Sequence, residues 1–284
     1  MTGIRPWGRL LAALLALTFL LPAATAQADT LDKILSERKL VVGYIPYDDL
    51  THRDLESGKI RGFFPDVIEA IAADMGIKPE DITYVATDWA NFAVGLQAGK
   101  YDLSISGTFA TIPRATAASF TTPLFYLGNS AVIRKGDERF KDVTDVMQLD
   151  RPEFTVAVVS GEQSYEFVKR NFKQAKIKIV KSADLTTALL EVTAGRADVA
   201  LSDHYVVKSF VNAHPETADL FAAKPWNPQP IAWAVRKDDL QLLNFMNTAL
   251  EYLVSTGKMA QIMGKPEYQN VPFLGKPATL QPLR

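Results

Sequence analysis

Three short stretches combine residue types that could hold a small charged molecule. Ser106-Gly107-Thr108 is followed closely by Thr111-Ile112-Pro113-Arg114. A Ser/Gly/Thr loop can offer hydroxyls and backbone N–H groups to an anion, and an arginine adds a planar fork that matches a carboxylate in two parallel hydrogen bonds. Farther on, Gly161-Glu162-Gln163-Ser164 follows an apolar run and opens a helical pattern, which sets N–H groups at the positive end of a helix dipole. Asp203 follows a third apolar run, Val199-Ala200-Leu201. An arginine on one side of a cleft and an aspartate on the other could together hold a zwitterion. The plain alternatives are that Arg114 is a surface cation beside Pro113 and that Asp203 caps a helix beginning at His204-Tyr205.

Positioning these groups requires an alternating α/β frame. Leu40–Tyr44, Ile82–Val85 and Leu103–Ser106 read as buried strands, with helical periodicity over Phe64–Met75 and Asn91–Ala98 between them. The order restarts after the polar stretch from Arg134 to Asp145. Strands are expected at Phe154–Val159, Ile177–Val180 and Val199–Leu201, and helices at Tyr165–Phe172 and Leu185–Ala194. Such βαβαβ order argues for parallel sheets with helices on both faces, in two similar units. Ser130–Ile133 would leave the first unit and Ile231–Val235 would return to it, ahead of helices over Leu240–Ser255 and Lys258–Met263. The expected fold class is α/β, two Rossmann-like lobes joined by a two-strand hinge. Residues 1–28 would form a signal peptide, 29–131 with 232–284 the first lobe, and 132–231 the second. A ligand cleft is expected between the lobes, near the strand carboxyl ends. The Pro-containing tail from Pro272 to Arg284 is read as a loose surface segment.

Composition narrows the function. Lys+Arg total 31 against 32 Asp+Glu, and no basic run interleaves with aromatics, so nothing points to nucleic acid. Cysteine is absent and histidine occurs three times, which excludes thiol chemistry and thiolate metal sites. No metal or cofactor is expected. Arg5 and Arg9 precede an apolar run from Leu10 to Leu21, followed by Ala23-Ala24-Thr25-Ala26-Gln27-Ala28. This is the charged, apolar, small-residue order of a secretory signal. Cleavage after Ala28 would deliver the chain to the periplasm; the alternative is an uncleaved anchor.

In order and spacing, Gly62-Phe63-Phe64-Pro65-Asp66-Val67, Leu96–Asp102, Thr111–Arg114, Phe120–Leu124, Ala194–Asp203 and Ala234–Leu240 resemble the polar amino-acid solute-binding proteins of ABC importers. The resemblance spans about residues 38 to 265 and implies a type II periplasmic-binding fold. It further implies a monomeric receptor that captures a small carboxylate-bearing solute, such as an amino acid, for a membrane permease. In that family pattern Arg114 would clamp the α-carboxylate and Asp203 would take the α-ammonium. Ser106, Thr108, Gln163 and Ser164 would complete the shell, and Tyr47 is the nearest candidate for a ligand-stacking aromatic. Two departures stand out: Ile45 occupies a position where the family usually has Asp, and Glu162 and Gln163 replace its Thr or Ser. Trp89 and Phe92 are candidates for core packing or for cleft aromatics, Asp66 is read as a first-turn helix acid or hinge contact, and Asp102 and Asp198 are assigned to backbone N–H groups. Two other functions share the scaffold: an exported dehydratase resembling cyclohexadienyl dehydratase, with Glu162, Glu69 or Asp203 as its acid, and an accessory protein of a periplasmic dehydrogenase system.

Overall fold

β-Branched and aliphatic runs bounded by glycine become strands, and the segments with helical apolar spacing pack over them. The computed structural model describes residues 30–273. The opening signal and the end of the tail lie outside the described residues. A helix over Thr30–Glu37 (α1) precedes β1 (Leu40–Tyr44), and a small hairpin, β2 (His52–Arg53) and β3 (Ile60–Arg61), leads to α2 (Phe63–Asp74). Then come β4 (Ile82–Ala86), α3 (Phe92–Gln97), β5 (Leu103–Phe109), α4 (Ile112–Ala115), β6 (Ala118–Phe120) and the long β7 (Phe125–Arg134). The second half runs β8 (Thr155–Val159), α5 (Gln163–Asn171), β9 (Lys176–Val180), α6 (Thr186–Thr193), β10 (Val199–Asp203), α7 (His204–Ala213) and β11 (Thr217–Asp219). The chain returns through β12 (Trp226–Arg236) to α8 (Leu240–Ser255) and α9 (Lys258–Met263).

The main path of the sheet has the order β4-β1-β5-β12-β7-β10-β8-β9. Each lobe repeats one arrangement about the β12/β7 seam: second strand, first strand, third strand, then a crossing strand. Two parallel sheets linked by two extended crossings were expected; the strands of both lobes instead form one sheet. The crossing strands cause this, because both run antiparallel to their neighbours and pair with each other from Phe125 to Asn129. β12 hands its pairing from β7 to β5 at Ile231, while β7 pairs β10 from Asn129 onward. Both strands are longer than their apolar cores suggested. Gly128 and Asn129 break the run in β7, and Pro228 and Pro230 break it in β12, where the register shifts between Trp226 and Gln229.

Two buried clusters reflect this division. The larger holds Phe63, Phe64, Phe125 and Trp233 around α2 and β12. The smaller packs Phe140, Phe154, Val156 and Leu201 in the second lobe, with Phe140 stacked on Phe154 at 4.8 Å. Asp102 and Asp198 do what was expected of them: each accepts a backbone N–H, from Val41 at 2.9 Å and from Thr155 at 2.8 Å. Asp66 ties α2 to the C-terminal region, accepting from Lys265 Nζ at 2.6 Å and the Tyr268 hydroxyl at 2.5 Å.

Candidate functional site

The strand carboxyl ends of the two lobes face each other, and the lobes are in direct contact there. Arg114, on the short helix after β5, donates from Nη2 to the Gly161 carbonyl of the opposite lobe at 2.7 Å and from Nη1 to the Phe109 carbonyl at 3.1 Å. Its guanidinium lies 5.8 Å from the centre of the Phe92 ring. Burial lowers the Arg114 pKa, and the nearby Glu162 acts against that shift. Gly161 has φ +79°, and a Cβ there would lie 2.5 Å from the Ala90 nitrogen. Only glycine permits both the left-handed backbone and this contact.

Further hydrogen bonds cross the cleft, among them one from the Asp49 N–H to the Tyr205 hydroxyl at 3.3 Å. Trp89 Nε1 donates to the Ala183 carbonyl at 2.9 Å, and the Tyr205 hydroxyl donates to Asp49 Oδ2 at 2.9 Å. The rings of Tyr47 and Trp89 meet edge to face at 5.5 Å, and Tyr205 lies 6.2 Å from Tyr47. Trp89 is therefore buried in the larger core cluster and also meets the opposite lobe. Its place three residues past β4 matches that of Tyr47 past β1, and this was the signal available in the sequence.

Asp203 is the last residue of β10 and fully buried. Its Oδ1 accepts the Val206 N–H at 3.0 Å, capping α7, while Oδ2 has no hydrogen-bond partner. The helix-capping reading of this residue holds for Oδ1. Burial raises its carboxyl to about 6, opposed by the capping N–H and by the neighbouring Tyr47 phenol. Burial in turn pushes the Tyr47 phenol well above its usual range, with Asp203 adding to the effect.

Glu162 repeats the pattern at the start of α5. Its Oε2 accepts the Ser164 N–H at 2.6 Å, and its buried Oε1 is unpartnered. Burial, then Asp203, raise it to about 7. Gln163 and Ser164 are buried beside it; Gln163 Oε1 is unpartnered, and the Ser164 hydroxyl reaches Asn129 Oδ1 at 3.3 Å. Ser106 and Thr108 are buried in β5, where the Ser106 hydroxyl shares a 3.0 Å hydrogen bond with Ser104 and Thr108 lies opposite Ala232. Arg114, Tyr47, Asp203, Gln163 and Ser164 therefore converge on the interlobe contact. Ser106 turns to its own strand. Among the described residues no group of three or more His, Asp or Glu could hold a metal ion.

The family model for bacterial extracellular solute-binding proteins, family 3, matches residues 40–265. The chain belongs to this family. A probable amino-acid ABC transporter-binding protein of Haemophilus influenzae is 27% identical over 239 residues, covering 81% of this chain and 85% of the relative. The cyclohexadienyl dehydratase of Pseudomonas aeruginosa is also 27% identical, over 233 residues, covering 81% and 84%. Among solved structures, an ancestral amino acid-binding protein described as a precursor of cyclohexadienyl dehydratase superposes with a TM-score of 0.72 at 28% identity, covering 83% of this chain and 98% of that one. The two-lobed type II periplasmic-binding fold expected from the motifs is the one this family 3 protein has.

Proposed function

We propose that this family 3 protein is a periplasmic receptor of an ABC importer, a monomer that closes on an amino acid or amino-acid derivative and presents it to a membrane permease. The observation that carries this reading is the opposition of Arg114 and Asp203. A guanidinium on one lobe and a buried carboxylate with a free oxygen on the other match the two ends of a zwitterion. Ligand contacts to both lobes exist only when they meet, so a bound solute shifts the protein toward the closed arrangement. The lobe limits that accompany it are 29–131 with 232–284 and 132–231, supported by the change of strand partner at Ile231. Tyr47, Gln163, Ser164, Ser106 and Thr108 would line the pocket. A thermal-shift screen of amino acids and small organic acids tests the proposal, since a ligand in large excess over its Kd raises the melting temperature.

One observation favours a second reading. Glu162 is a buried carboxyl with a pKa pushed up to about 7 and one unpartnered oxygen, which suits a general acid. With a cyclohexadienyl dehydratase among the relatives, aromatic product from prephenate or arogenate, followed by absorbance, would support an enzyme instead.

A further inference from the structure

The main path of the sheet ends in two strands, β4 and β9, and they differ in charge. β4, Ile82-Thr83-Tyr84-Val85-Ala86, carries no ionic side chain. β9, Lys176-Ile177-Lys178-Ile179-Val180, lies in a strongly cationic stretch. Lys169, Arg170, Lys173, Lys176, Lys178 and Lys181 fall within thirteen residues that include no Asp or Glu. Residues 132–231 as a whole hold Lys+Arg and Asp+Glu in equal numbers, so the cluster is a separation of charge within the second lobe. Of the six cations, Lys178 alone forms an ion pair among the described residues, with Glu191 at 2.6 Å, and Arg196 shares that carboxylate. Asp150, beside Lys173, is occupied by the backbone N–H groups of Lys173, Gln174 and Ala175. Arg170 lines a separate pocket with Ile112 and Gln229.

The backbone of β9 is open on the same side of the lobe. In a parallel ladder the N–H and C=O of one residue point to the same side, and that side alternates along the strand. β9 runs parallel to β8, its sole partner among the described residues. The Lys176 N–H donates to the Phe154 carbonyl at 2.9 Å, and the Val180 carbonyl accepts from the Ser160 N–H at 2.8 Å. Lys176, Lys178 and Val180 therefore bond inward, and Ile177 and Ile179 turn their N–H and C=O groups to the open edge. Side chains alternate as well. Lys176 and Lys178 share the face on which Glu191 of α6 reaches Lys178, while Ile177 and the half-exposed Ile179 share the other.

Lysines on an edge strand also keep copies of a protein apart, because β9 against β9 would set like charges side by side. That argues against a second copy of this chain as the occupant. It does not repel a strand of opposite charge.

We infer that β9 is a docking edge for an extended segment of a partner polypeptide in which acidic and apolar residues alternate. The segment's backbone extends the sheet through the free groups of Ile177 and Ile179. Its carboxylates meet Lys176 and Lys178 on one face, and its apolar side chains cover Ile179 on the other. Lys173 and Lys181, just before and just after β9, attract its ends. The cleft residues Arg114, Glu162 and Asp203 take no part.

Fluorescence anisotropy on the whole protein with a labelled Glu-Val-Glu-Val-Glu peptide tests this. The peptide is expected to bind at low ionic strength and to lose at least about tenfold in affinity in ~0.5 M NaCl. A Glu-Pro-Glu-Pro-Glu peptide has the same side-chain charge but lacks N–H groups for strand addition, and should bind at least about tenfold more weakly. Ile179→Pro removes one outward N–H and leaves every lysine in place, so affinity should fall about tenfold at a parent-like melting temperature. Lys176→Glu/Lys178→Glu should abolish binding. The comparison of the two peptides on the unaltered protein stands even if a variant folds poorly. No binding of the valine peptide overturns the inference, and so does equal binding of the two peptides, which would be charge attraction without strand addition. Unchanged affinity in the double-glutamate variant also overturns it. Binding to phosphatidylglycerol vesicles without binding of the peptide assigns the surface to lipid and overturns it as well.

Discussion

Glu162 and Asp203 stand just beyond and at the carboxyl ends of the neighbouring parallel strands β8 and β10, and each caps the helix that follows with one oxygen while the other stays free. The same local device, used twice side by side, presents two carboxylate oxygens to the opposing lobe. Capping fixes each side chain's orientation, so the site is preorganised by secondary structure.

Substitutions at Asp203 can separate its two roles. Asp203→Asn keeps a capping oxygen for the Val206 N–H but removes the charge. Its melting temperature should stay near that of the parent while amino-acid affinity drops by roughly 100-fold. Asp203→Ala should in addition lose about 1 kcal/mol of stability through the missing cap. Denaturant unfolding and calorimetry on both variants check this. Equal affinity in the Asp203→Asn variant and the parent would place the ammonium elsewhere.

Arg114→Ala should remove binding of carboxylate ligands, with affinity falling by at least roughly 100-fold, because charge-assisted hydrogen bonds carry about 1.5–3 kcal/mol each. It also removes the donor to Gly161 that links the lobes. Near-normal affinity by calorimetry would falsify the clamp.

Gly161→Ala acts on closure. The added Cβ would sit 2.5 Å from the Ala90 nitrogen, and the left-handed φ is strained for alanine. Stability should fall by about 1 kcal/mol, yet the lobes should fail to meet. Small-angle scattering at saturating ligand should give a larger radius of gyration than the parent shows, and a parent-like radius would contradict it.

Closure without ligand should depend on pH. Glu162 is raised to about 7 and Asp203 to about 6, against ordinary values of 4.5 and 3.8. The closed form therefore binds more protons than an open form with solvated carboxyls. Its stability relative to the open form is greatest near pH 4 and declines as pH rises to about 7. Arg114 tempers the effect and Asp48 strengthens it. The ligand-free protein should accordingly be more compact at pH 5 than at pH 8 by scattering, with a smaller change in a Glu162→Gln/Asp203→Asn variant, where Asp48, raised to about 6 by burial, still titrates. Expansion on acidification would reverse the sign and refute this linkage.

Local signals carried much of this architecture. The limits of α8 and α9 match the apolar periodicity because Asp239 caps one helix and the left-handed Gly257 separates it from the next. The turn at Gly161 and the arginine after β5 were visible as residue types in order. Other features depend on non-local contact and had no local trace. The pairing of β7 with β12 joins residues about a hundred positions apart, across a stretch where glycine and proline interrupt the pattern. α1 is short and buries only Ile34, too little for periodicity to declare. Trp89 was legible as core or cleft, and it is buried in the core while its Nε1 donor finds a partner only on the opposite lobe. Glu162 was legible as a departure; the division of its oxygens between a helix cap and the cleft depends on burial by the folded lobes.

The seam between the lobes has a mechanical meaning. Pro228 and Pro230 have no amide hydrogen to donate, and the register slips beside them. The backbone is unbroken there, but its cross-strand bonding is sparse. A sheet that resists shear along most of its width thus has one compliant line, and rotation becomes a change of twist spread along two long strands. Rotation at such a joint would keep to one axis, which a loop of similar length would not ensure.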